Sequence, residues 1–392
     1  MNISLALYEW YFARDSCDFQ GRISGGMPVR SRRERIGIAV AACFYYSGLT
    51  KLARWLMQRG EQRLIILNYH RGSGGDLRRH LLYLRRHYRM LHLEDALAEL
   101  YSGKRPERDR RTALVLTFDD GYYDNYTHAF KLAQELHVPI TIFLIPGYIE
   151  SGECFWWLEG RRLVQHATAQ EARLEGRTFN LQRSEERNEL AQAIDARLWQ
   201  CASVAEREAF LARVREQLAV PALPPQEDGD RPVTWDEVIE MEKSGQVSFG
   251  AHTMHHPVLA YLHDAAEIRR EVSECRTVLE HHLGHVVRAF AYPVGRNRHI
   301  GETALSAVRE AGFGWAVTTM SGTNTARSDP YQLKRVLGDV SRHWLVMAAE
   351  VSGVWSWFSP LWKNLLPEKK EKELEILPVE APASEAVAHP IQ

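Results

Sequence analysis

The stretch "TALVLTFDDGYYDNY", residues 112–126, decides how this chain reads. Thr112 to Phe118 are apolar or β-branched throughout, as a strand buried on both faces should be. Two adjacent acids, Asp119 and Asp120, end the run, and Gly121 breaks it. Parallel α/β folds carry their active sites at the C-terminal ends of strands. Neighbouring side chains point in different directions there, so one acid can bind a metal while the other handles a proton. The same residues also suit a turn and an N-cap for a helix starting near Tyr123, because Asp favours both places. On this stretch alone both readings stand.

A second constellation weighs on the first reading. "FGAHTMHHP", residues 249–257, sets His252 and His256 four apart, again just behind an apolar strand. Imidazole suits divalent transition metals, and hydrolytic zinc commonly takes three protein ligands with one position open for water. Asp120, His252 and His256 make such a set. The i, i+4 spacing also fits one helix face, but Pro257 and the preceding strand argue for a turn. His255, His281 and His282 read as structural. A third stretch, "FAYPVGRN" (290–297), ends a strand in a Pro293-Val294-Gly295 turn whose N–H groups can face the same site and hold an oxyanion.

Working outward, apolar strands alternate with amphipathic helices from residue 63, which predicts βα units and a largely parallel sheet or barrel. Strands are expected at 63–70, 88–93, 112–118, 139–146, 246–252, 288–293 and 315–319, and helices at 76–87, 123–136, 234–245, 265–284 and 300–312. Between about 158 and 231 a charged stretch without strand signal reads as a helical insertion. Residues 1–60 read as a partly helical extension, 61–350 as the catalytic unit, and 351–392 as an aromatic segment with a disordered tail from Pro367, which has too little apolar content to fold alone.

Composition narrows the class. Among 392 residues, 49 basic and 50 acidic side chains leave no excess field, so nucleic acid is not an expected partner. Five scattered cysteines without a CxxC spacing indicate neither a disulfide framework nor a cysteine-ligated zinc. The N-terminus lacks a signal-peptide pattern and no span is expected, so the chain reads as cytoplasmic or membrane-peripheral. "IGIAVAACFYY", Ile36 to Tyr46, is about half the ~20 residues a span needs. It reads as a packed helix, or, behind Arg32, Arg33 and Arg35, as a membrane-surface anchor. Trp355, Trp357, Phe358 and Trp362 allow the same two readings.

Taken in order, "TFDDG", "HTMHHP" and "FAYPVG" resemble the polysaccharide deacetylases, the NodB-homology or carbohydrate esterase family 4 group, over roughly residues 61–340. The resemblance implies a distorted (β/α)7 TIM-like barrel and metal-dependent removal of N-acetyl groups from an amino-sugar glycan. It implies zinc, with cobalt, manganese or nickel as substitutes. It makes Asp119 the general base, Asp120, His252 and His256 the metal triad, and Thr253 the brace of the metal loop. The Val294 N–H would hold the oxyanion.

Two departures stand out. No Leu-x-His motif follows Trp315, where the family carries its acid, and Ala291 occupies the place of the arginine that tunes the base. Poly-N-acetylglucosamine deacetylases resemble this chain in carrying an early "YH" strand, so His70 is expected as the acid, with Arg335 taking over the arginine's work beside Asp119. In a barrel the first and last strands are neighbours, which brings His70 within reach. Tyr122, Trp156, Trp157 and Trp315 are candidates to line a sugar cleft, or to pack the core. A glycan-binding pseudoenzyme and an O-acetyl esterase are the alternatives.

Overall fold

The computed structural model describes residues 31–104, 109–221, 223 and 229–358. Seven parallel strands close into a barrel: β1 (Leu64–Tyr69), β3 (Ala113–Phe118), β4 (Ile140–Leu144), β7 (Val247–Ala251), β8 (Ala289–Ala291), β9 (Trp315–Ser321) and β10 (Leu333–Leu337). Their order is β1-β10-β9-β8-β7-β4-β3, and β3 pairs back onto β1 from Leu64↔Ala113 to Tyr69↔Phe118. β2 (Arg89–Met90) adds to β3 only at Ala113 and Leu114.

The strands are apolar throughout because both their faces are covered. Leu64, Ile66, Val115, Ala289, Ala291, Val317 and Leu333 pack together inside the barrel, stoppered at its N-terminal end by Leu93, Leu97 and Leu100 of the helix Leu93–Ser102. The intervening residues, Ile65, Leu67, Tyr69, Leu114, Leu116 and Phe118, face the surrounding helices. Alternation then dictates what the C-terminal half of the lumen contains. Continuing the inward set brings Asn68, Thr117, Asp119 and Arg335 to the upper interior, all buried. A polar floor thus lies directly over an apolar plug.

Three expectations need correction. The span 88–93 contributes only two strand residues, because His92 begins the capping of the helix Leu93–Ser102. The strand that closes the barrel is instead β10, "LKRVL", whose Lys334 and Arg335 hide its apolar character; Arg335 points inward and is neutralised there. The insertion is not wholly helical. An antiparallel hairpin, β5 (Glu171–Leu174) with β6 (Arg177–Asn180), turned at Glu175 and Gly176, both with positive φ, joins its helices Trp156–Gln165 and Ser184–Trp199, and the helix Val204–Gln217 follows. Of the eight hairpin residues only Ala172 and Phe179 are buried, so no apolar alternation marks it.

The insertion has its own core, in which Phe155, Leu163, Phe179, Ile194 and Phe210 are continuous with Tyr122 and Ile145 at the barrel's C-terminal mouth. At the other flank, the helices Arg32–Tyr46 and Leu49–Arg59 bury Ala41, Phe44 and Ala53 against Leu345, Val346 and Ala349 of the helix Trp344–Val351. Trp362 and the tail from Pro367 lie outside the described residues, as do residues 1–30.

Candidate active site

β3 delivers the two acids and then turns sharply. Asp119 N–H still donates to Tyr69 O at 2.9 Å, in the strand ladder. Asp120 and Gly121 both take φ near +73°, a conformation that Asp tolerates and Gly adopts freely. A Cβ at position 121 would meet Leu144 Cδ2 at 2.7 Å, so the turn lies tight against β4.

Asp119 is 1% exposed and is gripped by Arg335 through two parallel bonds, Nη1–Oδ1 and Nη2–Oδ2, each 2.7 Å. Arg335, itself 1% exposed, also donates from Nε to Thr318 O at 2.8 Å and from Nη1 to Thr117 Oγ1 at 3.2 Å. Burial pushes the Asp119 carboxyl up, but the Arg335 guanidinium, with His252 and His70 beyond it, holds it well below the usual carboxylate range. This acid is ionised at any physiological pH.

The histidines come from the loop after β7. His252 N–H donates to Leu144 O at 2.9 Å, extending the sheet. Its Nδ1–H donates to Ala291 O at 2.7 Å, which leaves Nε2 aimed at Asp120 Oδ1, 3.5 Å away. His256 Nε2 lies 3.7 Å from the same oxygen. Thr253 ties the loop together: its hydroxyl donates to His252 O at 2.6 Å and accepts the His256 N–H at 3.0 Å. Thr253 and His256 both carry positive φ, +65° and +52°, a strain held by that bridge. Trp156 adds an Nε1–H bond to His256 O at 2.9 Å, and the Trp157 ring packs 4.5 Å from the His256 ring.

One ligand atom each from Asp120, His252 and His256 lies within 4.8 Å of the other two. Asp120 Oδ1 is buried without a hydrogen-bond partner, and an orphaned buried carboxylate oxygen is unusual unless a cation completes it. Burial pushes His256 down to about 3, and the neighbouring His252 adds to this, so it presents a neutral lone pair. Burial opposes charge on His252 too, but Asp120 and Asp119, with the Ala291 carbonyl, together outweigh it and raise its affinity for a proton. The donor set of one carboxylate and two imidazoles fits a divalent transition metal. His255 turns away: its Nδ1 bonds Glu271 Oε1 at 2.7 Å and its N–H bonds Oε2 at 2.9 Å.

The remaining expected residues divide. His70 stands at the open side, its side chain 45% exposed and Nε2 4.0 Å from Asp119 Oδ2. In the Pro293-Val294-Gly295 turn, Gly295 N–H reaches Pro293 O at 2.6 Å and Thr319 Oγ1–H reaches Val294 O at 2.6 Å. The Val294 N–H has no partner among the described residues. Tyr122 and Trp156 do not offer open faces to a sugar. Each is at most 4% exposed; the Tyr122 hydroxyl accepts from Trp157 Nε1 at 2.7 Å, and Arg71 covers its ring at 3.9 Å. Trp315 does not join the site: it begins β9, at the opposite end of the barrel, and stacks on Tyr101 at 5.4 Å.

Sequence reasoning missed Thr117 and Thr318, which position Arg335, and Glu271, which anchors the histidine loop through His255. Thr117 carried a signal, being the inward polar position of an otherwise apolar strand. Glu271, inside a charged helix, carried none.

Among solved structures, the chain is similar to IcaB from Ammonifex degensii at 20% identity and a TM-score of 0.49, covering 75% of this chain and 98% of that one. It is similar to the deacetylase PplD of Streptococcus pyogenes, solved in complex with acetate, at 18% identity and a TM-score of 0.48, covering 74% and 99%. The BpsB deacetylase domain of Bordetella bronchiseptica follows at 17%, with a TM-score of 0.46, covering 72% and 98%. No curated protein sequence matches. The polysaccharide deacetylase family matches residues 107–315, from before the Asp119-Asp120 strand, through the insertion and the histidine loop, to the start of β9. With that match spanning more than half of its length, this seven-stranded barrel belongs to the polysaccharide deacetylase family.

Proposed function

We propose that the chain hydrolyses the acetamido group of an N-acetylated amino-sugar glycan, releasing acetate and a free amine, with a divalent metal held by Asp120, His252 and His256. The observation that carries this reading is the convergence of those three donors within 4.8 Å of one another, beside an Asp119 kept ionised by Arg335. Zinc suits the set best, with cobalt, manganese or nickel as substitutes; when bound, such an ion polarises the acetyl carbonyl and lowers the pKa of a water from 15.7 towards ~7.

The chain's own groups then have separate tasks. Asp119 takes the proton from the attacking water as oxygen adds to the carbonyl carbon. A carboxylate held low is a weak base, so Arg335 acts mainly to fix the direction of its oxygens, and orientation of this kind supplies a large share of a barrier reduction. The free N–H of Val294 donates to the carbonyl oxygen as it gains charge, a contribution worth about 3 kcal/mol. His70, beside Asp119 and open to solvent, gives a proton to the sugar nitrogen as the C–N bond breaks.

An acetate-release assay tests the reading, run on N-acetylglucosamine oligomers and on O-acetylated glycans, with metal-stripped protein and metal added back. Metal-dependent release from the N-acetylated oligomers is expected. Release from O-acetyl esters alone would make the chain an esterase, and binding without release from either would make it a lectin-like barrel.

A further inference from the structure

The helices Arg32–Tyr46 and Leu49–Arg59 bury only a narrow stripe against the barrel. The opposite stripe of the first helix runs through Ile36, Ala39, Cys43 and Tyr46, spaced three or four apart and all exposed. That of the second runs through Leu52, Trp55 and Leu56, likewise exposed. Nine large apolar side chains are exposed among the described residues. Six of them, Ile36, Tyr46, Leu52, Trp55, Leu56 and Trp357, belong to these two helices and the segment that follows the helix Trp344–Val351. Such a concentration marks an interaction surface rather than the scattered apolar exposure of an ordinary monomer.

Charge identifies the partner. Between residues 31 and 60 stand Arg32, Arg33, Arg35, Lys51, Arg54 and Arg59 against a single acid, Glu34, in a chain whose net charge is −1. Glu34 is occupied at the helix start, where its carboxylate accepts the Ser31 N–H at 2.6 Å. The Arg59 guanidinium lies 3.8 Å over the Trp55 ring, keeping cation and aromatic together on the exposed side. An apolar stripe carrying Trp and Tyr and rimmed by Arg and Lys matches the boundary of an anionic bilayer, where rings settle at headgroup depth and cations meet phosphate. Among the described residues no single helix is long and apolar enough to span a membrane; the two helices reach that length and composition only together, across a 66° bend where they meet. Eleven residues of helix cover only about 16 Å, roughly half the hydrocarbon thickness, which suits a wedge lying in the interface.

We infer that this helical pair docks the protein on a bilayer surface rich in anionic phospholipid. The inference is independent of the chemistry assigned to the barrel. Vesicle co-sedimentation of the full chain tests it, using phosphatidylcholine alone and phosphatidylcholine with 30–40% phosphatidylglycerol. Binding to the anionic vesicles is expected, weakened at least about tenfold by Lys51→Glu with Arg59→Glu and again by Trp55→Ser with Leu56→Ser. All four side chains are exposed, so unchanged circular dichroism and acetate release from a soluble oligomer would show that the fold is intact. Absence of binding to anionic vesicles, or binding indifferent to both pairs of substitutions, overturns the proposal. So does self-association in lipid-free solution, measured by light scattering, that Trp55→Ser with Leu56→Ser abolishes, because the occupant of the face is then a second copy.

Discussion

Arg335 and Asp119 meet inside the barrel with both partners 1% exposed, which makes their pairing measurable as stability. Replacing Arg335 with Met keeps the apolar stem but leaves a carboxylate in the lumen without its guanidinium. Breaking a buried pair from one side typically costs about 3–5 kcal/mol, because the remaining charge is uncompensated. The neighbours do little to relieve it: Thr117 Oγ1 already donates to Leu67 O at 2.8 Å, and His70 lies 4.0 Å away on the open side. Asp119→Leu alone strands the guanidinium, with only the Thr318 carbonyl and the Thr117 hydroxyl as partners, and should cost a similar amount. The double variant Asp119→Leu/Arg335→Met removes both charges and should fall within about 2 kcal/mol of wild type, since replacing a buried pair by apolar groups is often near neutral. A double-mutant cycle by urea denaturation of metal-free protein therefore should give a coupling of at least about 4 kcal/mol. If Arg335→Met lost less than about 1 kcal/mol, or the two single losses simply added in the double variant, the buried ion pair would not be the anchor of Asp119 described above.

Two further outcomes follow from the same geometry. Thr253→Val removes the hydroxyl that bridges His252 O and the His256 N–H; zinc affinity measured by calorimetry should fall about 10–100-fold, while Thr253→Ser should stay near wild type. In the insertion, burial pushes the Asp195 carboxyl from its ordinary 3.8 up to about 7, against the opposing charge of Arg161. Its folded-state affinity for a proton is raised, so the associated stability is complete below 3.8 and is lost as pH rises through about 7. The loss is bounded at about 4 kcal/mol by 1.36 kcal/mol per pH unit and reduced by the group's partial solvent access. Melting curves at pH 5 and pH 8 should show Asp195→Asn gaining on wild type at both, and by more at pH 8 than at pH 5.

How much of this was legible in the sequence follows from what each residue's pattern reports. Six of the seven barrel strands announce themselves because burial on both faces demands unbroken apolar runs, as in "LIILNY" and "ALVLTF". The seventh, "LKRVL", does not, because one of its inward positions carries an arginine whose partner lies 216 residues away. The same long-range pairing made Arg335 visible as a site residue only through what the chain lacks at Ala291. The convergence of Asp120, His252 and His256 was legible because each follows a readable strand, and strand ends share one rim. The aromatic residues were the least legible: Trp156, Trp157, Tyr122 and Trp315 all sit near strand ends in sequence. Only packing separates Trp156, bonded to the His256 carbonyl, from Trp315, stacked at the far end. The hairpin at 171–180 left no trace, since a four-residue strand with one buried side chain has no periodicity to show.

In the proposed site one carboxylate and two imidazoles hold a divalent ion while a second carboxylate, anchored by Arg335, moves the proton. The most direct test measures bound zinc and acetate release side by side in wild type, Asp119→Asn and His252→Ala. One equivalent of zinc with turnover is expected in wild type, one equivalent without turnover in Asp119→Asn, and neither in His252→Ala. Turnover surviving in Asp119→Asn, or a full equivalent of zinc retained by His252→Ala, would contradict that arrangement.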